Sequence, residues 1–168
     1  LGFQAGTNNS GDRFIAVGFQ AGSNNAAGDN IAIGTNTMSG LSSGASGRNV
    51  AIGSRALNAA TGATVSQNVA IGYQAGLSIQ SINNVAIGNE ALLQSSGENN
   101  TAVGANAMTQ GNTQFNTALG SSALFNASGN NNVALGYRAG YKSSGANVYD
   151  NNIFVGYQAA DNITTGAS

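Results

Sequence analysis

Residues 68–76 read NVAIGYQAG, from Asn68 to Gly76. Asn68 opens the run, Val69 and Ile71 alternate with Ala70, and Gly72 closes it. Successive side chains of a strand point to opposite faces, branched residues suit that geometry, and Asn and Gly bound strands with turns. The stretch therefore predicts a short strand with Val69 and Ile71 on one face and Ala70 on the other. One face is bulky and the other small, and both are apolar, so the strand is expected to be buried on both sides.

The phrase recurs as NIAIGTNTM, NVAIGSRAL, NVAIGNEAL, NTAVGANAM, NTALGSSAL and NVALGYRAG. Its glycines are Gly2, Gly18, Gly34, Gly53, Gly72, Gly88, Gly104, Gly120, Gly136 and Gly156, at intervals of 16, 16, 19, 19, 16, 16, 16, 16 and 20. Asn stands four residues before the Gly in eight of nine complete units, with Phe14 as the exception. Ala stands two before it except at Phe154, and three after it except at Thr37.

Short strands at a fixed period, joined by turn-rich segments such as SSGENN, describe an all-β fold. The reading is a parallel β-solenoid of about ten 16-residue coils, each stacked in register on the last. Coils at strand spacing, ~4.8 Å, make a rod of roughly 45 Å, and the Asn column is expected to form a ladder of side-chain amides. With two or three large apolar side chains per coil the core is thin. The Ala face is expected to lie against water unless copies of the chain pack their Ala faces together.

The residue after the Gly is aromatic in five units: Phe3, Phe19, Tyr73, Tyr137 and Tyr157. In those units the residue four after the Gly is small (Gly6, Gly22, Gly76, Gly140, Ala160), and in the others it is Met38, Leu57, Leu92, Met108 or Leu124. Large beside small in all ten units predicts two positions filling one shared space, with the aromatic ring packing the turn. Ring stacking on a ligand is the competing reading.

Composition narrows the function. The chain has 168 residues with 25 Gly, no Pro, no Cys, no His and a net charge of -1. Without His or Cys it lacks the groups whose protons move most readily near neutral pH, and its six acids lie at least eight residues apart, so no catalytic residue is expected. There is no phosphate-binding G-K-[ST] loop and no Asp column of a calcium-binding roll, so no cofactor and no metal are expected. Five scattered cations argue against nucleic acid, and no apolar run is long enough to enter a membrane. An ice- or mineral-binding face would need an unbroken Thr column, whereas Thr35, Thr37, Thr101, Thr113 and Thr117 are scattered.

The three long intervals predict surface loops within 39–47, 58–67 and 141–151. The last gathers Tyr141, Lys142, Tyr149 and Asp150, the candidate receptor-contact loop, with a tolerated insertion as the plainer reading. The chain opens at LGFQAG in mid-repeat and ends on NITTGAS. It is therefore expected to be a single repeat domain, residues 1–168, from a longer fibrous protein, without caps.

The unit NVAIGxxA resembles the head repeats of YadA-type trimeric autotransporter adhesins, and NNIFVGYQAA and NTALGSSAL resemble the repeat shafts of phage tail fibres. The resemblance covers essentially the whole chain. It implies a left-handed parallel β-roll, a homotrimer, an extracellular place on a virion or bacterial surface, and a structural or adhesive role in host attachment. A cell-surface glycan or protein receptor is the implied partner besides the chain itself. It also implies that Asn68, Val69, Ala70, Ile71, Gly72 and Ala75 serve the fold, as Tyr73 and Gly76 are expected to from the volume pattern. The regular 16-residue coil and the aromatic-Gln-Ala-Gly turn lean towards the phage-fibre kind.

Overall fold

The computed structural model of the protein describes residues 1–9, 12–24, 28–41, 47–58, 64–126, 128–142 and 150–162. Among these residues every regular element is a strand. In chain order they are β1 (Ile15–Val17), β2 (Ile31–Ile33), β3 (Val50–Ile52), β4 (Val69–Ile71), β5 (Val85–Ile87), β6 (Gln94–Ser95), β7 (Thr101–Val103), β8 (Gln110–Gly111), β9 (Thr117–Leu119), β10 (Val133–Leu135) and β11 (Ile153–Val155). Nine of them form one parallel sheet in the order β1-β2-β3-β4-β5-β7-β9-β10-β11, while β6 and β8 pair on a second wall. The chain is an all-β parallel solenoid.

Register follows the repeat. Val69 lies opposite Val85, Ala70 opposite Ala86 and Ile71 opposite Ile87. The long intervals leave it undisturbed, since Ile31 still faces Val50 and Val133 still faces Ile153. The extra residues are thus taken up outside the sheet. Most of them, at 42–46, 59–63 and 143–149, lie outside the described residues, as does much of each expected loop.

The glycine column has a steric cause. Gly72 has φ +134°, a conformation that L side chains rarely adopt, and a Cβ there would fall 2.5 Å from the carbonyl oxygen of Gly88 on the next coil. The coils can stack at strand spacing only where this corner carries no side chain. Around the rest of the coil, positive φ recurs at Gln67 (+60°), Gln74 (+54°) and Gly76 (+58°), and at the equivalent residues of other coils.

The Asn column forms a buried ladder. Asn68 Oδ1 accepts the backbone N–H of Asn84 at 2.9 Å, while the Asn68 N–H and Nδ2 both donate to Asn49 Oδ1, at 3.0 and 3.2 Å. The other amide proton goes to the Ser81 carbonyl at 2.9 Å. Neither Asp nor Gln can replace Asn in this ladder. Asp has no donor for the carbonyl and would stack like charges at strand spacing, and Gln is one methylene too long. The backbone half of the ladder, amide oxygen to N–H, was not foreseen in the sequence.

The strand faces run opposite to expectation. Ala32, Ala51, Ala70, Ala86, Ala102, Ala118 and Ala134 are buried inside the coil, whereas Val69 and Ile71 are half-buried and their counterparts at the ends are exposed. The Ala face is therefore not the one against water. A 16-residue coil encloses a narrow lumen, already occupied by the Asn column, the turn Ala (Ala56, Ala75, Ala91) and one large side chain such as Leu57 or Leu92. Only Ala-sized residues fit the remaining wall, so the branched residues turn outward.

Candidate functional site

The outward face of the nine-stranded sheet is the most distinctive surface of the molecule. Each strand contributes two outward residues, forming one column through Ile15, Ile31, Val50, Val69, Val85 and Val133 and a second through Val17, Ile33, Ile52, Ile71, Ile87, Leu119 and Leu135. Thr101 and Thr117 are the polar rungs of the first column. Towards the ends of the rod Ile15, Val17, Leu119, Val133, Leu135 and Ile153 are exposed, while Val69, Ile71, Val85 and Ile87 in the middle are half-buried.

Exposed aromatic residues follow the Gly corner in five coils and stack where two such coils adjoin. Phe3 stacks on Phe19 with ring centroids 5.8 Å apart, and Tyr137 on Tyr157 at 5.4 Å. Tyr73 is 48% exposed, and Phe19, Tyr137 and Tyr157 are exposed too. This corrects the shared-space expectation, because the rings stand outside the coil while Met38, Leu57, Leu92, Met108 and Leu124 fill its inside.

The small residue at the fourth position makes room for other partners. A Cβ on Gly76 would come within 2.7 Å of Ile79 Cδ1, one on Gly22 would strike the Phe14 ring, and one on Gly140 would meet Phe154 at 2.9 Å. Volume compensation is present, but it links the lumen residues to one another. Phe14 and Phe154, where the repeat puts an aromatic ring in place of its Asn or of the Ala before the Gly, each lie against such a Gly.

The candidate receptor loop is only partly described. Tyr141 stacks on Phe125 at 5.1 Å and carries the Arg138 guanidinium 3.9 Å above its ring, while Arg138 pairs with Asp161 at 3.2 Å. Lys142 is buried, and its backbone N–H donates to the Phe125 carbonyl at 3.0 Å. Asp150 is exposed, and its Oδ1 accepts the Asn130 N–H at 2.6 Å. Tyr149 lies outside the described residues. Tyr141 and Asp150 thus each make a contact that joins neighbouring coils.

Among the described residues no group of three or more His, Cys, Asp or Glu is placed to hold a metal ion. Comparison of the chain with family models, with curated proteins and with solved structures finds no match.

Proposed function

We propose that the chain is a rigid segment of a homotrimeric fibre, of the phage tail-fibre kind, that supports attachment to a host cell. The head of a bacterial trimeric adhesin, binding host matrix or glycans, is the alternative form of the same reading. In it each chain winds ten left-handed coils, three chains pack about one axis outside the cell, and the role is mechanical and adhesive without a chemical step. Receptor contact, with a glycan or a protein, falls to the insertion carrying Tyr141, Lys142, Tyr149 and Asp150.

The observation that carries this proposal is the outward-turned aliphatic face. Nine strands at ~4.8 Å, each about three residues wide, give a strip about 38 Å by about 10 Å, or roughly 400 Å² per chain. A strip of that size matches the largest apolar patch of a typical monomer, and such patches are often contact surfaces. Three such strips bury about 1,200 Å² in a whole trimer, or about 400 Å² for each pair of chains, so a stable trimer needs contacts beyond the strip. Because every copy carries the same flat, regular face, another copy is the partner whose shape matches it along the whole rod.

Light scattering on the purified chain tests the assembly. The expected mass is three times that of the chain. Ile52→Asp combined with Leu135→Asp should reduce it to one chain mass with the β-sheet circular dichroism kept, since both side chains are exposed and stand on strands that do not pair. A parent chain that is monomeric at micromolar concentration would remove the proposal.

A further inference from the structure

On the wall that carries β6 and β8 lies an open groove of about 510 Å³. Its rims are two columns of outward side chains: Ser78, Gln94 and Gln110 on one side, and Gln80, Ser96 and Asn112 on the other, with Ser95 between them. Strand pairing of β6 with β8 sets Gln94 directly below Gln110, and the backbone bonds Gln80 N–H to Ser95 O and Gln94 N–H to Thr109 O, both 3.0 Å, hold the three coils in step.

The chemistry of this lining is unusual for the chain. It contains four carboxamides and three hydroxyls, and neither a charged nor an aliphatic side chain. Carboxamides both donate and accept, so the groove presents mixed hydrogen-bonding groups repeated at strand spacing along its length. Ser95 is 3% exposed and takes the inward position between the two columns, as Ile79 does on the preceding coil, so the outward Gln, Asn and Ser side chains make the groove's chemistry.

We propose that this groove binds a neutral, hydroxyl-rich chain, that is, an uncharged oligosaccharide. Anionic ligands have no cation here to meet them. Apolar ligands have no apolar wall. A sugar chain offers adjacent hydroxyls that each donate and accept, and a pyranose unit advances by a length comparable to one coil, so successive residues meet equivalent amides. The volume lies within the range of small-ligand sites.

The groove is formed within one chain, about midway along the coil between Ala86 and Ala102, and its assignment does not depend on three chains packing together. It lies apart from the 141–151 insertion, so it is a second contact region and not a restatement of the first.

Saturation-transfer NMR on the intact chain, with maltohexaose, cellohexaose and an N-acetylglucosamine hexamer as probes and a sialylated oligosaccharide as the anionic control, tests the proposal. The expected result is binding of at least one neutral probe, with the control bound at least about tenfold more weakly. Gln94→Ala with Gln110→Ala, both exposed side chains, should weaken that binding about tenfold, the loss of two neutral hydrogen bonds. The side-chain amide resonances of these residues should move on titration. Absence of binding by all three neutral probes, or binding that the double substitution leaves unchanged, overturns the assignment. Light scattering on the same samples reports assembly separately, so failure of the groove and failure of the fibre reading are told apart.

Discussion

Replacing Gly72 by Ala, with Gly156→Ala as an internal control, separates the cost of coil stacking from the cost of backbone strain. Both glycines have φ in the region that disfavours side chains, +134° and +125°, so both substitutions carry about 1–3 kcal/mol of strain. Only Gly72 has a coil directly above it. Its new Cβ would lie 2.5 Å from Gly88 O, whereas nothing lies within 4 Å of the Cβ at Gly156. To reach ordinary contact at 3.4 Å the coils must part by about 0.9 Å. The bonds Gly88 N–H to Ile71 O and Glu90 N–H to Tyr73 O, at 2.8 and 2.9 Å, would then stretch beyond hydrogen-bonding length. Two lost backbone bonds add about 2 kcal/mol, giving about 3–5 kcal/mol for Gly72→Ala against about 1–3 for Gly156→Ala. Because each coil touches only its neighbours, a defect in the middle also uncouples the two halves of the rod. Thermal unfolding by circular dichroism, at equal chain concentration, should place Gly72→Ala about 4–8 °C below Gly156→Ala. Equal midpoints would show that the glycine corners do not touch, and the stacking argument would fail with them.

Asn68→Ala should cost about 1–3 kcal/mol, because it leaves the buried Asn84 N–H without a partner and removes the donor to the part-buried Ser81 carbonyl. Asn68→Asp, which keeps the acceptor but loses the donors and buries a charge, should do no better, and amide hydrogen exchange at Asn84 reports the local opening. Gly76→Leu should lower the unfolding midpoint by crowding Ile79, and adding Ile79→Ser, which copies the Leu92 and Ser95 pair of the next coil, should recover most of the loss. If the double variant is no more stable than the single one, those positions do not share the lumen. Tyr73→Ala should change the unfolding midpoint little in the single chain, since the ring is half exposed, and should weaken assembly if the aromatic column lies in the contact between copies.

The contrast between the Gly and Ala columns shows how far a single sequence can be read. Gly72 and Asn68 were legible because each answers to a constraint that repeats identically on every coil: one corner cannot hold a Cβ, and one buried amide must give and take the same bonds above and below. A period in the sequence therefore translates directly into stacked layers. The insertions were legible for the same reason, as interruptions that leave the register of Val133 and Ile153 intact.

Which way the strand faces was decided only by the closed coil. Alternation of Val69, Ala70 and Ile71 fixes that Ala lies opposite its neighbours, but it is symmetric with respect to inside and outside. Bulk alone suggested that the branched residues fill the core. The lumen proves too narrow for them once Asn68, Ala75 and a corner residue such as Leu92 have entered it, and that occupancy involves side chains from the rest of the turn. The same closure placed Tyr73 outside, paired Gly76 with Ile79, and set Gln94 over Gln110 on a wall whose strands are too short and too polar to announce themselves. Sequence by itself determined the period and the stacking. Tertiary structure decided which face the stack turns outward, because only a closed turn shows how much room is left within it.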